Sequence, residues 1–417
     1  MPAALDDAHV TGIENPPPVI PRRVLLVLPH GMEEAQLPGG LDEMNRGWDC
    51  RFASHGAEAF RLLQEAPCDA IVIDLLQRGL DGVMLARQVM ERWPETLRVG
   101  LSAPSERETL QKAAAPVHQF LAKPCEVKVL KAVLARAFAG RDILSHASLR
   151  RWVSGNNLLP VVPALYGELM EELRSKEPLL ERAGQIVARD IGLSAKMLQL
   201  VNSAFFGLGR PLTHPCEAAM FLGVETLKAL VLSLQVFAQF QHLKFSQFSM
   251  EELWKHSWTT GVLARQICEA EHCHRDTVAE AFTAGLLHDL GKLILAANWP
   301  EKFQATLHAA RQRDVALWEE EFQAYSASHA EVGGHLLASW GLPEAVVQAV
   351  AFHHRPEFAR RQTFSAVTAV HVANSFSKRH CGAKSQWVNA GYLSSIGMSA
   401  RLDEWRELCR ESLQKRA

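Results

Sequence analysis

The chain has no Cys-X-X-Cys pair: its eight cysteines are scattered along 417 residues, which argues against a disulfide framework and for a reducing cytoplasm. It has no excess of charge either. Its 44 basic and 46 acidic side chains leave a formal net charge of −2, so no global field draws in a polyanion and a nucleic-acid role is not implied. No basic segment followed by a short apolar run opens the chain in the manner of a secretory signal. No apolar run reaches the ~20 residues that a bilayer requires. The longest, about residues 227–240, contains Lys228, Ser233 and Gln235 and reads as a buried helix, so no membrane partner is expected.

What is present is the composition of a folded globular protein, with 48% hydrophobic and 22% charged residues. The length exceeds one ordinary core and predicts two domains. Residues 1–21 carry Pro16-Pro17-Pro18, three successive positions without amide donors, and are expected to form a disordered leader. From Arg22 to about residue 140, short apolar runs alternate with helical stretches. The runs are residues 24–28, 70–73, 98–101 and 119–122, and unbroken apolar runs between helices predict a doubly wound α/β domain with a parallel sheet. Beyond about residue 145 helical periodicity takes over, predicting an all-α domain over 146–380 and a helical extension over 381–417.

In a doubly wound sheet, polar residues just past the strands face the ligand crevice. Here they are Asp74 after Ile71-Val72-Ile73, Ser102 after Val99-Gly100-Leu101, and Lys123 after Phe120-Leu121-Ala122. With Gly79-Leu80-Asp81-Gly82 a few residues past the aspartate, the arrangement over about residues 22–138 resembles the response-regulator receiver family. The resemblance implies a flavodoxin-like fold, Asp74 as phosphoacceptor, Ser102 and Phe120 as switch residues, Lys123 as the phosphate-pairing lysine and a sensor histidine kinase as partner. One departure bears on that reading. The family's acidic pair at the end of the first strand is replaced by Leu28-Pro29, removing the oxygen ligands that would hold Mg2+, and Glu33 and Glu34 lie a turn further on.

The helical half carries Leu158-Leu159-Pro160-Val161-Val162-Pro163, Ile186-Val187-Ala188-Arg189-Asp190-Ile191-Gly192, Leu200-Val201-Asn202-Ser203-Ala204 and Ala218-Ala219-Met220-Phe221-Leu222-Gly223. In order and spacing these stretches resemble the HDOD family. Six candidate metal ligands follow in helical context: His256, His288, Asp289, His329, His353 and His354. Imidazole and carboxylate together suit Fe, Mn, Zn or Ni, and packed helices can bring such groups to one centre.

The order of these ligands is similar to that of HD-superfamily phosphohydrolases, whose metal ions activate water. Two features depart from that pattern. Asn374 stands where those enzymes carry a further aspartate, and Arg355-Pro356-Glu357-Phe358 follows the paired histidines in place of the Gly-Tyr-Pro sequence of cyclic di-GMP phosphodiesterases. The reading is therefore a cytoplasmic signalling protein with a non-catalytic HDOD output that binds proteins or a nucleotide, with homodimerisation as a further expectation. The alternative is a metal-dependent phosphohydrolase. Cys268, His272, Cys273 and His274 lack the spacing of common zinc fingers and are read as ordinary residues. The alternating charges near the C-terminus, Arg401, Arg406, Arg410 and Lys415 with Glu404, Glu407 and Glu411, read as a solvated helix face.

Overall fold

A computed structural model describes residues 21–28, 44–77, 80–103, 116–143, 164–173, 179–202, 212–240, 249–360, 362–377 and 388–414. Pro16–Pro18, Pro29, Glu33, Glu34, Gly79, the 158–163 stretch, Ser203, Ala204 and Lys415 lie outside these residues.

The N-terminal half contains β1 (Arg22–Val27), β2 (Trp48–Ala53), α1 (Gly56–Glu65), β3 (Ala70–Asp74), β4 (Leu76–Gln77), β5 (Leu80–Asp81), α2 (Gly82–Arg92), β6 (Leu97–Ser102), β7 (Gln119–Ala122) and α3 (Val127–Arg141). Five strands form one parallel sheet in the order β2-β1-β3-β6-β7, and β4 and β5 form a two-residue antiparallel pair. Side chains alternate across a strand, so consecutive apolar residues fill two separate cores. Val24, Leu26, Val72 and Val99 pack with Leu130 and Leu134 of α3. Leu25, Val27, Ile71 and Ile73 pack with Leu63 of α1 and with Leu85 and Val89 of α2.

Strand β2 is the sheet member that no apolar run announces. It holds Asp49 and Arg51 and pairs only with β1, and an edge strand tolerates charge where a central one does not.

The second half is helical among the described residues. Its helices are α4 (Ala164–Leu173), α5 (Leu180–Ala188), α6 (Ile191–Val201), α7 (Pro215–Gln239), α8 (Met250–Ala270), α9 (Arg275–Leu287), α10 (Leu290–Asn298), α11 (Pro300–Arg313), α12 (Leu317–Tyr325), α13 (His329–Ser339), α14 (Glu344–Phe352), α15 (Ala366–Ser377), α16 (Ala390–Ser395) and α17 (Leu402–Gln414). One contiguous core runs from Leu169 on α4 to Cys409 on α17, so the two C-terminal helices share it through Tyr392 and the fully buried Trp405.

The apolar 227–239 stretch lies in α7, with Leu227, Leu230, Val231, Leu232 and Val236 buried. By length and composition α7 could cross a membrane, yet 56% of its most apolar window is covered by the protein itself. On α17, Arg406 pairs with Asp403 at 2.6 Å and Arg410 pairs with Glu407, both on the exposed face.

Candidate metal centre

His288 and Asp289 fill the two-residue break between α9 and α10, where the chain turns without leaving the core. Both are fully buried. The His288 Nδ1–H donates to Gly285 O at 2.7 Å, which sets the tautomer and leaves the Nε2 lone pair facing inward. Helix α10 can come close enough because position 291 is glycine: a side-chain carbon there would overlap the carbonyl of His329.

His329 opens α13. The start of that helix is fixed by Glu331 Oε2, which accepts from Ser328 N at 2.8 Å. The His329 Nδ1–H points away from the centre to Glu321 Oε2 at 2.5 Å, and its Nε2 lies 3.1 Å from Asp289 Oδ1. His353 and His354 follow the last turn of α14. His353 Nδ1 donates to Val350 O at 2.7 Å, and its Nε2 faces Asp289 Oδ1 at 4.0 Å with no hydrogen-bond partner. His354 Nε2 stands 3.1 Å from His329 Nε2, while its ring stacks on Trp318 with centroids 5.8 Å apart. From α8, His256 Nε2 meets His288 Nε2 at 3.1 Å, and its Nδ1 meets Ser377 Oγ at 3.2 Å.

The pattern is common to His256, His288, His329 and His353: Nδ1 is tied to an outer partner and Nε2 points to the Asp289 carboxylate. That carboxylate has two faces. Oδ2 lies 3.5 Å from His256 and 3.4 Å from His288, and Oδ1 faces His329 and His353. The ligand atoms form two groups, His256-His288-Asp289 and His329-His353-His354, each lying within 4.8 Å of one another. His256 and His354 are half-buried and the other four wholly buried.

The electrostatics favour a cation. Burial opposes ionisation of Asp289, but His288, Lys292 and His329 more than offset it and hold the carboxyl well below its usual range. Lys292 Nζ donates to Asp289 Oδ2 at 2.6 Å. Burial, reinforced by His288 and His329, pushes His353 far below the usual imidazole range, so it stands neutral with a free lone pair. At His329 burial is the largest influence and pulls down, as does Lys292, but the Glu321 and Asp289 carboxylates together leave the net shift upward. Two imidazole lone pairs 3.1 Å apart repel unless a proton or a cation lies between them. Imidazoles with tied Nδ1 atoms, one buried carboxylate and the unpartnered His353 Nε2 fit a divalent transition metal held by nitrogen and oxygen ligands.

The six candidate residues of the sequence analysis lie in two adjoining groups, linked where His329 Nε2 stands 3.1 Å from Asp289 Oδ1. Sequence reasoning misses the groups behind them. Glu321 lies in the acidic run Glu319-Glu320-Glu321, which resembles a surface helix, yet it is 0% exposed. His371 on α15 is a second such group. Its Nδ1 donates to His353 O at 2.7 Å and its Nε2 accepts from Asn389 N at 2.9 Å, so it ties the paired histidines to the start of α16. Burial lowers its pKa to about 4. Asn374, also on α15, is buried with its Oδ1 unpartnered, a neutral amide in place of a charged ligand.

The Cys268, His272, Cys273 and His274 cluster gathers no metal-ligating group among the described residues. His274 instead caps α9, accepting from Asp276 N at 3.4 Å.

On the receiver side, Asp74, Ser102 and Lys123 lie together at the carboxyl edge of the sheet, at and beside the point where the strand order reverses. Lys123 Nζ donates to Asp74 Oδ1 at 2.9 Å, and Leu76 N donates to the same oxygen at 3.1 Å. Phe120 is half-buried in β7 against the core of α1 and α2. Leu28, buried at the end of β1, offers no oxygen ligand to a cation.

Residues 40–135 match the response regulator receiver domain and residues 159–356 the HDOD domain. An uncharacterized protein of Treponema pallidum (strain Nichols) is 25% identical over 216 residues, 52% of this chain, and the match spans 41% of that protein's length. An HDOD domain protein of unknown function from Geobacter sulfurreducens is 21% identical, covering 67% of this chain and 99% of that one at a TM-score of 0.51. A candidate signal transduction protein from Marinobacter aquaeolei VT8 is 16% identical, covering 74% of this chain and 70% of that one at a TM-score of 0.50. At these identities the two structures speak for the fold alone.

Proposed function

The chain carries a receiver domain followed by an HDOD domain, the build of a signalling protein, and from that premise we propose that its output half is a metal-holding binding module rather than a hydrolase. The observation that carries this reading is the convergence of His256, His288, His329 and His353 through Nε2 on the single buried carboxylate of Asp289. His256, His288, Asp289, His329, His353 and His354 would hold one or more Fe, Mn, Zn or Ni ions. Such an ion supplies Lewis acidity and a fixed charge that cross-links α8, α9, α10, α13 and α14. The chain's own residues supply orientation: Glu321 and Ser377 aim imidazoles, and Lys292 neutralises Asp289.

A second reading, metal-dependent phosphohydrolysis of a nucleotide, is favoured by the six ligands and opposed by Asn374. Turnover of a nucleotide or cyclic dinucleotide by the metal-loaded chain, lost in His288→Ala, would replace the binding reading with this one.

The input side is the edge at Asp74, Ser102 and Lys123. With Leu28 in place of an acidic ligand, we assign input there to docking of a signalling partner in the cytoplasm. The Lys123–Asp74 pair favours phosphorylation of Asp74 by a sensor histidine kinase as the other route. Light scattering of the wild-type chain and Asp74→Asn, with and without acetyl phosphate and Mg2+, separates the two. A change in size or oligomeric state in wild type alone supports phosphorylation; no difference supports docking.

A further inference from the structure

Helix α13 has one end at the metal centre and the other against the receiver domain. It begins with His329, and its last residue, Ser339, offers a carbonyl that accepts from Gln119 Nε2 at 2.7 Å; Ala338 O accepts from the same amide at 3.3 Å. Ser339 O lies in the last turn of the helix, where intrahelical donors run out, and Gln119 supplies its donor, whereas Ala338 O also accepts from Gly341 N at 2.9 Å. Along the helix, the ring of His335, Nδ1 foremost, lies 3.3 Å from Gly140 O of α3. Gly140 allows this approach: a side-chain carbon there would overlap the methyl of Ala338. The loop after α13 is seated on the same amide, for Gly341 adopts φ +78° and a side-chain carbon on it would stand 2.6 Å from Gln119 Oε1.

The receiver elements in this contact lead back to the Asp74 edge. Gln119 opens β7, and β7 ends at Ala122, directly before Lys123, whose ammonium is bonded to Asp74. A helix of 11 residues is about 15 Å of rigid rod. We infer that α13 couples the two sites: the seat of Gln119 and Gly140 on its C-terminal turn fixes where its N-terminus holds His329, so events at either site bias the other. Coupling is reciprocal in binding free energy, which gives the inference two independent readouts. The metal readout rests on the metal reading above; the exchange readout does not.

The test uses the full chain with Gly140→Ala, which wedges the contact, and Gln119→Ala, which removes the amide without adding bulk. The first measurement is amide hydrogen exchange without metal. The His329 N–H donates to Glu321 Oε2 at 2.8 Å and reports on the seating of the helix start. Coupling predicts faster exchange in both variants at residues 329–333 and at 121–123, beyond the contact itself. Change confined to 138–141 and 336–341 overturns it.

The second measurement is Ni2+ titration monitored by calorimetry. Coupling predicts Ni2+ affinity weaker by about fivefold or more in both variants. Unaltered affinity in variants with altered contact exchange overturns it. If the wild type takes up no Ni2+, Mn2+, Zn2+ or Fe2+, the metal reading fails and the exchange measurement decides the coupling alone.

Discussion

Glu321 Oε2 lies 2.5 Å from His329 Nδ1, and both side chains are sealed from solvent. The carboxylate fixes the ring so that Nε2 faces Asp289, and it raises the basicity of that nitrogen. Glu321→Gln keeps the shape and a hydrogen-bonding group but removes the charge. We expect about 10- to 100-fold weaker metal binding in this variant, with the helical content unchanged. Titration of the purified chain alongside circular dichroism checks this, and equal affinity would show that Glu321 does not orient the ligand.

His371 gives the helical domain an acid sensitivity. Its pKa is about 4 in the folded protein and near 6.5 when unfolded, so between these values the unfolded chain binds the extra proton. Stability therefore falls as pH drops through that window and is fully present at pH 7. The loss from this residue is on the order of 2 kcal/mol between pH 6.5 and pH 5. Urea midpoints for α8–α15 at the two pH values should separate less in His371→Gln than in the wild type. The same separation in both would assign the acid sensitivity to other groups.

At the receiver edge, Lys123→Ala removes the ammonium from the buried Asp74 carboxylate, which keeps the hydrogen bond from Leu76 N. We expect a destabilisation of about 2 kcal/mol, below the range for a fully buried pair because the Lys123 side chain is 17% exposed. Asp74→Asn should cost less, and adding it to Lys123→Ala should restore part of the loss. Hydrogen exchange in β3 and β7 reads the three variants. A double variant no better than Lys123→Ala would remove the buried charge as the cause.

Much of this molecule is legible in the sequence because apolar side chains announce buried elements. The central strands β1 and β3 carry continuous Val, Ile and Leu runs, β6 interrupts its Leu and Val with the buried Arg98 and with Gly100, and Asp74 and Lys123 are readable as the polar residues that end such strands. The candidate ligands His288 and Asp289 are readable too, from their place between apolar helical stretches. What escapes is whatever depends on a long-range contact. Strand β2 carries charge because it lies at an edge, a position no local pattern encodes. Glu321 looks like the residues beside it until α12 packs against α13 and buries it. His371 is one histidine among 18 until the fold sets the His353 carbonyl on one side of it and the Asn389 amide on the other. The joint between the halves rests on Gly140 and Gln119, whose residue types reveal nothing before α13 is placed beside them.

The central claim is that the histidine cluster around Asp289 holds a metal ion, and metal content per chain tests it most directly. The protein would be purified without oxygen or chelator beside His288→Ala and analysed by inductively coupled plasma mass spectrometry. The account predicts near-stoichiometric transition metal in the wild type and its loss in the variant. Wild-type protein without metal, still unloaded after incubation with Fe2+, Mn2+, Zn2+ or Ni2+, would contradict it and leave the histidines as a hydrogen-bonded core.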